Sequence, residues 1–204
     1  HRDLHSFPTR RSSDLPRAAS EAVLGFALEA KRPDEAHWVQ VDLGKTQPID
    51  RIVLHPMRHN DPSAGGWVDG YAFPLRFRIE VSDDAQFAAR RAVADHSEKD
   101  YPHPGWTPVV IPAEGQSARY VRLTATRLWQ RRPDLCAFTL GELEVFSGDR
   151  NIAAGTTVSA SASVEGYGWS KSQLTDGRAL SAAGAAGQVQ LPRHNHGAIY
   201  LRKE

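Results

Sequence analysis

The chain has a single cysteine, Cys136, so it cannot form an internal disulfide, and cysteine usage does not identify its redox compartment. It has no apolar run approaching the ~18 residues that a membrane-spanning helix needs. It also has almost no net charge: 25 Lys and Arg stand against 24 Asp and Glu, and setting aside the three Arg and two Asp of residues 1–15 leaves 22 of each sign. A neutral chain has no global field to gather nucleic acid or an anionic membrane, so neither is expected as a partner. Catalytic signatures are absent as well: there is no Gly-x-Ser-x-Gly elbow, no phosphate loop and no Cys/His pair. The paired carboxylates Glu142 and Glu144 sit in an ordinary strand pattern. No catalytic residue and no metal ligand set is assigned. His55, His59 and Asp61 in HPMRHND have ligand chemistry, but they come from a strand end and a loop with nothing to make them converge.

What is present is alternation. In LRFRIEV, Leu75, Phe77, Ile79 and Val81 point one way while Arg76, Arg78 and Glu80 point the other, the mark of a half-buried strand. Burying four such side chains is worth roughly 6–12 kcal/mol before chain entropy, so a one-residue slip is strongly disfavoured. WVQVDLG, DRIVLHP, TPVVIP, RYVRLTA and GELEVF read the same way. Gly-, Pro-, Asn- and Asp-rich stretches at 59–74 and 95–106 separate them as turns. Helix signal is confined to Ala18–Ala30 and a short turn at Asp84–Val93, with Ser82 and Asp83 as caps. The fold class expected is all-β, an antiparallel β-sandwich. HRDLHSFPTRRSSDL (1–15) has no period and, back-translated, resembles a sequencing adapter, so it is expected to be non-native. The domain reading is therefore 1–15 non-native, 16–148 the sandwich, and 149–204 the truncated start of a following β-rich module with an Ala/Gly-rich linker at 180–188.

Four ordered stretches carry a resemblance: HWVQVDLGKTQPIDRIVLHP (37–56), FRIEVSDDAQF (77–87), RYVRLTATRL (119–128) and LGELEVF (140–146). Together they resemble the discoidin or coagulation-factor type C domain, also met as carbohydrate-binding module family 32, a galactose-binding-like jelly roll. The residues support the match on their own chemistry. Asp42 at a strand end before Gly44 suits a carboxylate accepting backbone N–H groups at a left-handed glycine, and Arg119 and Arg122 can pair with carboxylates at the same rim. Members carry a first strand and an Ala-Val-Asp-Gly-type loop before the Trp. Here only Pro16–His37 precedes it, so the first strand is expected to be missing, which leaves an unpaired edge. The loop that wraps calcium in many members is likewise missing or altered, and no cofactor is assigned. RNIAAGTTVSASASVEGYGWSKSQLTDG (150–177) is similar to the opening of a second such domain. AIYLRKE (198–204) resembles the first strand of the N-terminal sandwich of bacterial α-L-rhamnosidases, glycoside hydrolase family 78.

The resemblance implies a non-catalytic carbohydrate-binding accessory module of a larger glycan-degrading enzyme, secreted or periplasmic and bacterial. Its partners would be a glycan or polysaccharide and its own catalytic domain. Sugar recognition calls for exposed aromatics that stack on C–H faces and for a few planar polar groups, carried on loops at one end of the sandwich. His59, Asp61, Trp67 and Tyr71 in one loop, and Trp129, Arg131 and Arg132 in another, are the candidates. For Trp67 packing over the loop base competes with ligand contact. For Trp129 strict alternation with Val121, Leu123 and Ala125 favours the buried face, and Arg131 and Arg132 also read as solvated rim charges. A spacer that packs on the catalytic domain and binds nothing is the competing function. Protein or lipid adhesion ranks below it, because the loop tips carry Trp67 but otherwise Gly, Asp and Pro.

Overall fold

The computed structural model describes residues 25–61 and 64–178. The adapter-like residues 1–15, the 180–188 stretch, the HNH at 194–196 and AIYLRKE lie outside the described residues. The described chain runs β1 (Phe26–Ala30), β2 (His37–His55), β3 (Arg58–Asp61), β4 (Gly66–Asp69), β5 (Arg76–Ser82), β6 (Arg91–His96), β7 (Val109–Arg127), β8 (Trp129–Arg132), β9 (Leu135–Leu140), β10 (Glu142–Ser147), β11 (Arg150–Asn151) and β12 (Thr157–Ala160), followed by a 3-10 helix at Lys171–Thr175. The larger sheet has the order β11-β10-β2-β7-β5-β6, with β12 also on β2, and the smaller sheet has the order β1-β9-β8. All of their pairings are antiparallel. This is the expected discoidin-like antiparallel sandwich.

Alternation builds its core. Phe77, Ile79 and Val81 of β5 are fully buried, with Leu75 half-buried just before the strand. They pack with Val39, Val41, Ile52 and Leu54 of β2 and Val121 and Leu123 of β7. Phe26 and Leu28 of β1 and Cys136, Phe138 and Leu140 of β9 face them from the smaller sheet. Phe26 and Phe138 meet edge to face at 5.4 Å, the favoured arrangement of two quadrupolar rings. On the opposite face of β5, Glu80 is held by Arg90 at 2.8 Å.

The β2–β7 ladder shifts register between Asp42 and Gln47. There Gly44 has φ of +80°, and its N–H donates to Asp42 Oδ1 at 2.8 Å. Arg119 grips both oxygens of Asp42 at 2.8 and 2.9 Å, and this bond is the main reason the Asp42 carboxyl lies below its ordinary pKa. Arg122 pairs differently from the expectation: it donates to Gln40 Oε1, and its guanidinium lies over the rings of Trp38 and Phe87.

Two local expectations are corrected. The end of the helix expected over Ala18–Ala30 is strand β1, because pairing Phe26–Ala30 with Leu140–Cys136 buries Phe26 and Leu28 in the core. Asp84–Val93 does not form a helix: Asp84 accepts from the N–H groups of Gln86 and Ala88 to make a compact turn, and β6 begins at Arg91. Ser82 does cap that turn, with Oγ accepting from the Asp84 N–H at 2.9 Å.

Within the described residues, the segment 149–178 packs on the sandwich. β12 pairs with Val39–Asp42 of β2, whose other edge pairs with β7. Ile152, Ala153 and Leu174 join the main core. Gly25 is bound from both sides by this segment: its carbonyl accepts from the Ser170 N–H at 3.0 Å, and its N–H donates to Gln173 Oε1 at 3.0 Å. A Cβ at Gly25 would lie 2.4 Å from the Leu140 carbonyl oxygen, so only glycine fits this junction.

Candidate functional site

Every residue of β9 is buried, on both faces of the strand. Its inner face meets the core, and its outer face is covered by the chain between β2 and β5. Thr139 N–H donates to the Ala72 carbonyl at 3.0 Å, and Thr139 Oγ1 donates to the Tyr71 carbonyl. The smaller sheet therefore carries a third layer, the β3–β4 hairpin with its exit loop. The candidate residues lie on this outer face.

Within the hairpin, Asn60 pairs with Trp67 and His59 with Val68. Alternation turns His59 and Val68 toward the sheet and leaves Trp67 and Arg58 on the solvent side. A row of rings results. Trp169 lies 5.7 Å from His59, His59 4.7 Å from Tyr71, and Tyr71 5.2 Å from Trp129, measured between centroids. Trp169 seals Ala27 and Met57 at one end of the row, while Tyr71 and Trp129 cover Ala137 at the other.

Burial sets the charge states here. Desolvation lowers the pKa of His59, Asp61 opposes this and Arg131 adds to it, so the imidazole is neutral at neutral pH. Burial pushes the Tyr71 hydroxyl up to about 12. Arg131 and Asp61 form a two-armed ion pair at 2.9 and 3.0 Å with side-chain exposures of 11% and 1%, which ties β8 to the hairpin. Desolvation alone would lower the Arg131 pKa, but its bond to Asp61 and the nearby Tyr71 and Glu29 raise it overall.

The seven candidates therefore separate. Trp67 is 52% exposed, with the Arg58 guanidinium 5.3 Å from its ring centroid. Arg132 is exposed and lies 3.9 Å from Asp134. Asp61 and Tyr71 are buried, and His59, Trp129 and Arg131 are partly buried within the layer. His55 does not join His59 and Asp61; its Nε2 meets Glu144 at 2.7 Å. Among the described residues no group of three or more His, Cys, Asp or Glu converges on one point. A groove lined by Asp95, His96 and Glu98–Pro102 opens beside β6, with none of the candidates in its wall.

Sequence reasoning missed Trp169, which closes the row from the segment after Gly148, and read Glu142 only as one of two carboxylates in an ordinary strand. The Glu142 side chain is fully buried; Oε1 accepts from the Gly177 N–H at 2.9 Å, and the carboxyl also shares a hydrogen bond with Asp176. Its pKa is pushed up to about 8, first by burial and then by the carboxylates of Asp176 and Glu144. The Thr-Asp-Gly turn at 175–177 brings the two acids together, but two carboxyls, one holding its proton at neutral pH, do not supply the six to eight oxygen donors of a calcium ion.

A jelly-roll sandwich whose third layer displays an exposed Trp and an Arg defines a discoidin-like module. The F5/8 type C domain family matches residues 17–139, and the chain belongs to that family. Solved structures similar to it include chitosan-binding module 1 derived from the chitosanase/glucanase of Paenibacillus sp. IK-5, at 20% identity over 59% of this chain and 76% of that one, TM-score 0.41. CpGH89CBM32-6 produced by Clostridium perfringens matches at 16% identity over 60% and 76%, TM-score 0.40. A pectin-binding carbohydrate-binding module matches at 21% identity over 60% and 72%, TM-score 0.34. No curated protein matches the chain.

Proposed function

We propose that this chain is a non-catalytic carbohydrate-binding module, accessory to a larger secreted glycan-degrading enzyme and serving to hold that enzyme on its polysaccharide. The observation that carries the reading is Trp67. A large aromatic stands half in water on a hairpin, its backbone fixed by β3 and a guanidinium over one side of its ring. The other side of such a ring offers a flat apolar face to sugar C–H groups, and the adjacent Arg58 offers donors to sugar hydroxyls. Asp61, Tyr71, Trp129 and Arg131 then serve by holding the hairpin on the smaller sheet.

Affinity electrophoresis against a panel of plant and bacterial polysaccharides tests the proposal. Retention on at least one polysaccharide, lost in Trp67→Ala, is expected; no retention on any overturns it. The spacer alternative predicts instead that Trp67 is covered by a neighbouring domain, and tryptophan quenching by acrylamide in the parent enzyme distinguishes the two.

A further inference from the structure

Trp67 has an exposed aromatic counterpart in a segment that the reading of the loops passed over. Tyr167 is 87% exposed, the most open large apolar side chain among the described residues. Its backbone is left-handed, with φ of 52°, between Gly166 at 120° and Gly168 at 86°. A tyrosine held in that region without an inward contact contributes nothing to packing, yet the turn that presents it is tightly built. The N–H of Gly166 donates to the Trp169 carbonyl and the N–H of Trp169 to the Gly166 carbonyl, both at 2.9 Å. Trp169 anchors the turn by burying its ring against Ala27 and Met57. Lys171 reaches Glu165 at 2.6 Å, and Ser163 donates to Glu165 at 2.8 Å, which closes the base.

The anchor also fixes where the turn lies. Trp169 abuts His59, and His59 sits one residue before Asn60, the strand partner of Trp67. The Tyr167 turn therefore adjoins the hairpin that displays Trp67. The charges beside each of them are paired, Lys171 with Glu165 next to Tyr167 and Arg58 with Asp69 next to Trp67, the latter at 3.0 Å. That surface lacks both the cationic field that gathers anionic lipid and the cluster of aliphatic side chains that inserts into a bilayer.

We propose that Tyr167 is a second stacking side chain of the glycan face, so that Trp67 and Tyr167 together take an uncharged polysaccharide of pyranose units through their C–H faces. This rests on the carbohydrate-binding reading above.

The test uses the full chain and its Tyr167→Ala, Tyr167→Phe, Tyr167→Gly and Trp67→Ala variants. Retention is measured in gels containing galactomannan, xyloglucan, mixed-linkage glucan or polygalacturonate, and sedimentation is measured with phosphatidylserine/phosphatidylcholine vesicles. The expected result is retention on a neutral polysaccharide, weakened about tenfold in Tyr167→Ala and kept in Tyr167→Phe. Tyr167→Gly should lose retention just as much while unfolding no earlier than the native chain, since glycine relieves the left-handed strain. Retention unchanged in Tyr167→Ala but lost in Trp67→Ala overturns the role of Tyr167 and leaves the glycan reading standing. Retention confined to polygalacturonate overturns the neutral-sugar assignment. Vesicle binding that depends on Tyr167 assigns the face to lipid and overturns the proposal, and retention of the native chain on no polysaccharide overturns both readings.

Discussion

Arg131 and Asp61 meet through two bonds, Nε to Oδ2 at 2.9 Å and a terminal nitrogen to Oδ1 at 3.0 Å, with both side chains almost out of solvent. They lie 70 residues apart in the chain and join the β3–β4 hairpin to β8. Removing one partner leaves a largely desolvated charge uncompensated. Asp61→Ala should cost about 3 kcal/mol in urea unfolding, while Asp61→Leu combined with Arg131→Met should recover much of that. A double variant no more stable than the single one would show that the pair is not acting as a unit.

Core and display positions should respond oppositely. Phe138→Ala empties space between the two sheets and should destabilise the fold by about 3–5 kcal/mol. Trp67→Ala, on the solvent side of the hairpin, should change unfolding by about 0.5 kcal/mol or less while removing glycan retention. Parallel denaturation and gel-retention measurements check both.

The segment after Gly148 is predicted to be indispensable. A chain ending at Gly148 loses β12 from Val39–Asp42, the Trp169 cover over Ala27 and the Leu174 contribution to the core. Such a chain should bind a hydrophobic dye and associate through the bare β2 edge. A peptide covering 149–178, supplied in trans, should reverse both effects. Cooperative unfolding of the shortened chain at the native midpoint would place the module boundary at Gly148 after all.

Raising the pH should weaken the native fold at Glu142, whose carboxyl holds its proton more tightly in the folded state than in the unfolded chain: its contribution is fully present below about 4.5 and is lost as pH rises through about 8. Differential scanning fluorimetry of the native chain and of Glu142→Gln across that window reads this directly, the difference between the two shrinking as the native chain loses stability. Parallel pH curves for the two proteins would exclude Glu142 as the source.

The turn that carries Tyr167 should be acid-sensitive. Burial alone would raise the Glu165 pKa, but the Lys171 ammonium and the hydroxyls of Ser163 and Ser170 outweigh it and bring it down to about 2. A carboxyl lowered in the folded state binds fewer protons there than in the unfolded chain. Its contribution is fully present above its ordinary value near 4.5 and is lost as pH falls toward 2. Protection factors of the Gly166 and Trp169 amides, normalised for the intrinsic pH dependence of exchange, should therefore fall across that window in the native chain but stay level in Glu165→Gln.

The sandwich is legible in the sequence wherever a strand has one wet face. LRFRIEV alternates because its outer face meets solvent, and Phe77, Ile79 and Val81 lie where that pattern predicts. LCAFTL carries no such alternation, since the hairpin covers its outer face and both sides are apolar. At Ala18–Ala30 a weak helical spacing loses to the ladder with β9, a non-local pairing that local spacing cannot reveal. The candidate site was half visible. Trp67 stands out beside two glycines, but the burial of Asp61 depends on an arginine in another hairpin, and the ring row depends on Trp169, 110 residues beyond His59. The composition change after Ser147 and the resemblance of 150–177 suggest the start of another module, and composition carries no sign that Thr157–Ala160 pairs with β2.

The clasp between Gly25 and Ser170–Gln173 ties the first described strand to the last described helix beside Trp169 and the Tyr167 turn. A pull applied to either end of the sandwich therefore loads the same pair of hydrogen bonds in shear and reaches the ring row through Trp169.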